Sequence, residues 1–264
     1  MEVKVQETQD SFYQGMKELK VLALSYMYSS LPTSLGCLIN LRTLSLFRCR
    51  LIDDDISVIG ALENLEILSF AGSYIKELPK EIIGHLAYLK VLDLLGCIVE
   101  RIYPGVLSSL LKLEELYVGT TFQRCCKVEE SKEGAKAIID ELASLSNLVA
   151  LDIALINITF WPRGLVVEKV KKFNIVVGVT DFDYILENVS DIIETRLNLL
   201  LKGTEILDVN SRTKGLKILC DLVDEDGFEC LTKLSLQYLY DLPHQYSRWG
   251  STECFPCVRV SESS

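Results

Sequence analysis

Leu89-Lys90-Val91-Leu92-Asp93-Leu94-Leu95-Gly96-Cys97-Ile98-Val99 is the stretch whose reading decides the fold. Its pattern is LxxLxLxxCx followed by one more apolar residue. In an extended segment alternate side chains share a side, so Leu92 and Leu94 face one way while Val91, Asp93 and Leu95 face the other. Leu89 and Val99 close the same core from the flanking turns, and Cys97 sits where the chain leaves the strand. A unit this short cannot bury its own apolar face. It has to be stacked on neighbours of the same kind.

The neighbours are present. Pairs of the LxL type occur at Leu22/Leu24, Leu44/Leu46, Leu68/Phe70, Leu92/Leu94, Leu116/Val118 and Leu151/Ile153, with a weaker pair at Phe173/Ile175 and a last one at Leu234/Leu236. Each has an apolar residue three positions upstream, from Leu19 and Leu41 through to Val170 and Leu231. The first five pairs are spaced 22, 24, 24 and 24 residues apart, a period that belongs to leucine-rich repeats. The fold class this predicts is an α/β solenoid: a leucine-rich-repeat horseshoe with a parallel β-sheet on the concave face and short helices or turns on the convex side. The expected organisation is a polar N-terminal segment (1–15), regular repeats (16–121), an insertion (122–141) and degenerate repeats ending in a truncated tail (142–264).

Between strands the turn signals recur. Leu31-Pro32-Thr33-Ser34-Leu35 and Leu78-Pro79-Lys80-Glu81-Ile82 each set proline after a leucine, where its fixed φ and missing N–H suit the start of a turn. The turns are expected to present Leu35/Leu38 and Ile82/Leu86 to the core. Asp53-Asp54-Asp55 lacks the spacing of a calcium loop, so the reading is an aspartate capping the turn Ile56-Ser57-Val58-Ile59. Asp224-Glu225-Asp226 reads as a solvated acidic loop. The step from Leu116 to Leu151 is 35 residues instead of 24, which places an insertion of about eleven residues between them. Within it Ala135, Ile138, Ile139 and Leu142 fall on one helical face. Further on, Arg196–Leu201 and Glu205–Val209 alternate as strands around the turn Lys202-Gly203-Thr204, Phe228–Leu236 restores a repeat, and Cys254–Val258 begins another.

Composition narrows the function classes. The chain has 264 residues and a formal net charge of −10, which argues against a binder of phosphate backbones and hence against a nucleic-acid partner. The polar opening, Met1 to Thr8, has no apolar secretory core. No run of about 18 apolar residues occurs, so no membrane span is expected. The nine cysteines are an odd count with no paired framework, as in a reduced, cytoplasmic chain. Cys49 and Cys97 occupy the ladder position of the repeat and are expected to be structural.

On these segments the chain resembles the leucine-rich-repeat region of plant disease-resistance receptors that combine coiled-coil, nucleotide-binding and repeat modules. The residues that carry the resemblance are Gly15–Leu22, Ser30–Leu35, Leu86–Cys97, Val106–Leu110 and Leu113–Tyr117, with Leu200–Glu205 and Gly227–Leu236 similar to later, irregular repeats. The resemblance implies a recognition module of an intracellular immune receptor acting in defence. Its implied partners are the nucleotide-binding module of a receptor, a pathogen effector or a guarded host protein. The chain departs from such receptors in lacking a GxxxxGK[ST] phosphate loop, and it carries Phe122 and Cys125-Cys126 where the family has a tryptophan.

No constellation of catalytic residues emerges. His85 and His244 are the two histidines, far apart in sequence, and Cys254-x-x-Cys257 lacks a second ligand pair. Glu114 and Glu115 are adjacent on a strand and point to opposite faces. Neither an enzyme, a cofactor nor a metal site is expected. What remains is the outward strand column Ala23, Ser45, Ser69, Asp93, Tyr117 and Asp152, with Arg42, Arg48 and Glu115 beside it. From these, Arg42, Arg48, Asp93, Glu115, Tyr117 and Asp152 are the candidate protein-binding residues. The competing readings are a stand-alone repeat scaffold, a substrate-receptor adaptor of a ligase and an extracellular binding ectodomain. The first 15 residues are too short for an F-box-like segment, and no paired capping cysteines accompany the repeats.

Overall fold

The computed structural model describes residues 12–51, 56–124, 137–155, 170, 172–177, 206–210, 233–237 and 259–260. The chain divides into two compact units, Met1–Asn147 and Leu148–Ser264. The first carries β1 (Val21–Ser25), β2 (Thr43–Phe47), β3 (Ile67–Ser69), β4 (Tyr74–Leu78), β5 (Val91–Asp93), β6 (Ile98–Ile102) and β7 (Glu115–Gly119). Strands β1, β2, β3, β5 and β7 lie side by side in that order, all parallel. Their register follows the leucine spacing without a slip: Leu22 pairs with Leu44, Leu44 with Leu68, Leu68 with Leu92, and Leu92 with Leu116. A slip by one residue would turn every leucine to the other face. The leucine-rich-repeat solenoid read from the sequence is the observed fold.

The approach to each strand is built in steps of three. Leu35, Leu38 and Leu41 are buried, as are Ile59, Leu62 and Leu65, and Leu107, Leu110 and Leu113. Each step is closed by a backbone bond to the residue three back, for example Leu38 N–H to Leu35 O at 3.1 Å and Leu41 N–H to Leu38 O at 2.9 Å. A turn with three residues per revolution sets i, i+3 and i+6 on one side, so this spacing buries all three. In the repeat after Pro79 the sequence expectation of Ile82/Leu86 is corrected to Ile83/Leu86. The first turn is of the 3₁₀ type, with Leu35 N–H bonded to Pro32 O. After Pro79 the chain instead forms α1 (Lys80–Ile83), in which Ile83 N–H reaches Pro79 O at 3.1 Å. One more residue is used before the chain faces inward, and Ile82 is left half-exposed.

Past each strand a polar residue enters the core. Cys49, Ser73, Cys97 and Thr121 follow one another at 24 residues and all are buried. The Ser73 hydroxyl donates to Leu46 O at 2.6 Å and accepts from Cys49 N–H at 2.7 Å. Thr121 Oγ1 donates to Leu94 O at 2.7 Å, and Cys49 Sγ lies 3.5 Å from Leu24 O. Cys49, Ser73 and Thr121 therefore each satisfy a carbonyl of the preceding repeat that burial would otherwise orphan. Cys37, Cys49 and Cys97 are free thiols, as expected for the two ladder cysteines.

A second, two-stranded parallel sheet of β4 and β6 lies beyond this column, with Ile75 opposite Val99 and Leu78 opposite Ile102, all four buried. Its strands were not among the expected elements. The 3₁₀ turn Ser57–Ala61 follows Ile56; Asp53, Asp54 and Asp55, among which its cap is expected, lie outside the described residues. In the described part of the insertion, α2 (Thr121–Arg124) buries Phe122, and Ile138, Ile139 and Leu142 are buried on the expected face. Ala135 lies outside the described residues. Glu141 then reaches back, its carboxylate accepting from the backbone N–H groups of Gly105 and Ser108. It serves as the cap of the preceding turn, Leu107–Ser109.

In the second unit β8 (Ala150–Leu155) and β9 (Lys172–Val177) are parallel, with Leu151 opposite Phe173 and Ile153 opposite Ile175. Strands β10 (Ile206–Asn210), β11 (Lys233–Gln237) and β12 (Arg259–Val260) form a three-stranded parallel sheet. Leu207 and Val209 pair with Leu234 and Leu236, so β10 forms where a strand at 205–209 is expected; the turn expected at 202–204 lies outside the described residues. Residues 196–201, the acidic loop at 224–226 and 254–258 lie outside the described residues.

The first strand is an edge. Leu19, Leu22 and Leu24 are half-exposed, whereas their equivalents in the next repeat, Leu41, Leu44 and Leu46, are fully buried. Leu92→Ala should therefore cost about 2–5 kcal/mol and Leu22→Ala clearly less, read as shifts of the urea midpoint. Equal losses would contradict β1 as an edge strand.

Candidate protein-binding face

The register sorts the outward side chains of the first unit into columns. Val21, Thr43, Ile67, Val91 and Glu115 form the first, and Ala23, Ser45, Ser69, Asp93 and Tyr117 the second. Phe47, Ala71 and Leu95 follow at 24-residue steps as a third. The outer columns are largely apolar, with Val21, Phe47, Ile67 and Leu95 exposed. The middle one is small and polar until Asp93. Exposed apolar groups rimmed by polar ones on a single wall are the composition of a contact surface.

The predicted residues fall on this wall in different roles. Asp93 is held from both sides, accepting from Ser69 Oγ at 2.8 Å and from Leu95 N–H at 3.0 Å. Glu115 accepts from the Tyr117 hydroxyl at 2.6 Å. Arg42 lies just before β2 and is ion-paired with Glu66, while Arg48 lies just after it. These five share the face of the first unit. Asp152 belongs to the second unit, where it stands opposite Asn174.

Arg48 is the most unusual of them. Positions 26, 48, 72 and 96 are equivalent, and all have positive φ: Tyr26 at 56°, Arg48 at 50°, Gly72 at 67° and Gly96 at 64°. The conformation lets Tyr26 N–H reach Phe47 O, Arg48 N–H reach Ala71 O, and Gly72 N–H reach Leu95 O, at 2.8 to 3.0 Å. Glycine adopts it freely, but a side chain there costs about 1–2 kcal/mol. The first two repeats nevertheless place Tyr26 and Arg48 there. Arg48 Nη1 donates to the Tyr26 hydroxyl at 3.3 Å, and the guanidinium lies 5.1 Å from the Phe47 ring centroid and 5.9 Å from that of Tyr26. The two rings meet edge-on with centroids 6.0 Å apart. Tyr26 and Phe47 were not among the sequence candidates. The signal that would find Tyr26 is a glycine column whose first two members are not glycine, and Phe47 then follows as the residue beside Arg48.

Along the strand starts runs a charge ladder. Glu66 is held by Arg42 on one side and by Lys90 Nζ at 3.0 Å on the other. Hydrogen bonds from Lys90, then from Arg42, keep the Glu66 carboxyl below the usual range, and Glu66 in turn raises Lys90. Burial pushes the Cys49 thiol up, the opposite of what a nucleophile or metal ligand needs. No cluster of three or more His, Cys, Asp or Glu occurs among the described residues, and none of their helices is long and apolar enough to cross a membrane. His85 is exposed on a turn. Cys254, Cys257 and His244 lie outside the described residues.

No family model and no curated protein matches the chain. Among solved structures, an internalin from Listeria monocytogenes is similar with a TM-score of 0.55 and 12% identity, over 85% of this chain and 56% of that one. A plant peptide hormone receptor, RGFR1, in complex with RGF2 gives 0.48 and 17%, over 84% of this chain and 32% of that one. The TLR13–ssRNA13 complex gives 0.43 and 15%, over 82% and 35%. The chain thus spans little more than half the length of the internalin, 56%. At 12% identity that likeness is one of fold.

Two outcomes test the ladders. Ser73→Ala leaves the Cys49 N–H and Leu46 O without their buried partner and should cost about 1–3 kcal/mol by urea unfolding, whereas the same change at the exposed Ser30 should be neutral; equal effects would contradict the buried column. Glu66, with its pKa lowered in the folded state, contributes stability above the unfolded carboxyl range that is lost as pH falls through the folded value. A carboxyl NMR titration should show Glu66 moving upward in Lys90→Gln, and an unchanged midpoint would remove the ladder.

Proposed function

We propose that the chain is a protein-recognition module that binds through its strand face. The observation that carries this reading is the wall of five paired strands whose outward columns leave Val21, Phe47, Ile67 and Leu95 exposed. Stacked repeats add such a surface strand by strand, and the wall rather than any one residue provides the contact. Arg42, Arg48, Asp93, Glu115 and Tyr117 supply its polar contacts, and Asp152 supplies one on the second unit.

The finer reading rests on the linking phrases of the sequence, Gly15–Leu22, Ser30–Leu35 and Leu86–Cys97, which resemble those of plant disease-resistance receptors. On that reading the module belongs to an intracellular immune receptor of the coiled-coil, nucleotide-binding type. Its partner is the nucleotide-binding module of the receptor, or an effector or guarded host protein.

Ala23→Arg and Ser45→Arg place bulk on the middle column without touching the core, so stability should change by less than about 0.5 kcal/mol. Association with a nucleotide-binding module of this receptor class, supplied as a separate chain and measured by calorimetry, should weaken by at least about tenfold. Glu81→Lys and Lys112→Glu, on the turn side, should leave it intact. The reverse pattern would place the contact on the turns.

A further inference from the structure

We propose that Tyr26, Phe47 and Arg48 anchor an extended acidic segment of a partner protein. One Asp or Glu carboxylate of that segment sits on the Arg48 guanidinium, and a neighbouring aliphatic or aromatic side chain lies on the two rings. The inference rests on the reading of the strand face as the recognition surface and names the chemistry it accepts.

The cation comes first. Arg42, Lys90 and Arg101 each have a carboxylate, Glu66 for the first two and Glu77 for the third. Arg48 has none among the described residues: its guanidinium meets only the Tyr26 hydroxyl and the Tyr26 and Phe47 rings. A guanidinium offers five N–H donors in a planar fork, and one is engaged here. The Tyr26 hydroxyl accepts that bond and keeps its own hydrogen to donate. Fork and hydroxyl together present several donors to one anion, the geometry that suits a carboxylate. Among the described residues, the strand side of β1 and β2 carries Lys20, Arg42 and Arg48 and no carboxylate. Along this face the first carboxylate is Glu66, already neutralised by its two cations, and the next is Asp93. An acidic segment is therefore drawn to this end of the wall although the whole chain carries −10.

The surroundings suit the rest of the segment. Tyr26 is 51% and Phe47 38% exposed, and an aromatic pair beside an arginine is the composition of binding hot spots. Gly72 lies under the Arg48 side chain, since a Cβ there would stand 3.0 Å from Arg48 Cγ, and this fixes the arginine over the strip. Beyond it the exposed Gly96 carries no side chain and leaves room for a main chain to lie alongside.

Backbone cost separates a binding role from a structural one. The ladder needs positive φ at position 48, and glycine fills the equivalent positions 72 and 96. Arg48→Gly therefore keeps the fold and relieves it, while removing the anchor.

The test pans a displayed library of random short peptides on the full chain and measures the enriched peptides in solution by fluorescence anisotropy. The expected consensus holds an Asp or Glu beside an aliphatic or aromatic residue. Its change to Asn or Gln, and Arg48→Gly in the protein, should each weaken binding at least about tenfold; Tyr26→Phe should weaken it several-fold. Arg48→Gly should melt at or above the temperature of the parent chain. Peptides that survive Arg48→Gly but are lost in Ala23→Arg and Ser45→Arg overturn the anchor and leave the strand-face reading standing. Peptides indifferent to both sets overturn both. A library that returns no binder dependent on Arg48 and on an acidic residue also overturns the anchor.

Discussion

Everything in the first unit depends on parallel stacking in one register. No repeat closes its own core, and some of its buried carbonyls are capped by a side chain of the next repeat. Leu46 O is capped by Ser73 from the next repeat and Leu94 O by Thr121. Outside the strands the same dependence recurs, with Asn40 Nδ2 donating to Lys17 O and Asn64 Nδ2 to Ile39 O. Apolar burial supplies the drive, and these shared bonds fix which residue stands beside which. A mismatch by one residue would bury charges and orphan carbonyls together, which is why the register runs unbroken from Leu22 to Leu116.

The stacking also determines where side chains are available for contact. Because alternate strand residues must fill the core, the remaining ones are forced outward into columns, and each column is free to vary. That freedom is visible in the middle column, which runs from Ala23 through two serines to Asp93 and Tyr117. It is more visible at the strand exits. The hydrogen-bond ladder there fixes the backbone in a conformation suited to glycine, and two of its positions carry Tyr26 and Arg48 instead. A residue that costs stability where a cheaper one fits is best explained by contact with something outside the chain.

The apolar frame was legible in the sequence because inward and outward positions differ in kind: leucines at 41, 44 and 46 recur at 65, 68 and 70 with one Phe exchanged. Finer phase was not. Ile82 and Ile83 are both apolar, and the choice between them turns on whether the chain leaves proline in a 3₁₀ or an α turn. Ser73 and Thr121 were overlooked because a serine and a threonine resemble surface residues until counted at 24-residue steps from Cys49. The β4–β6 sheet hid in Tyr-Ile-Lys-Glu-Leu and Ile-Val-Glu-Arg-Ile, whose mixed polarity does not announce a strand. Strand β10 was visible as a strand, but not its parallel partner, since the 27-residue step from Leu207 to Leu234 departs from the regular period. Of the candidate face, the middle column was legible. The aromatic neighbours of Arg48 were not, because Tyr26 comes from a different repeat and Phe47 from a different column.

Amide hydrogen exchange read residue by residue tests the stacked register most directly. The amides of Arg48, Phe70, Gly72 and Leu94 each bond across to the next repeat, to Ala71 O, Asp93 O, Leu95 O and Tyr117 O. Arg48 and Gly72 lie on the exposed surface, so only that cross-repeat bond would slow them. The account predicts strong protection at all four. Exchange of Arg48 and Gly72 at the rate of an unstructured chain, with Phe70 and Leu94 protected, would contradict the strand-exit ladder and the strained placement of Arg48 that depends on it.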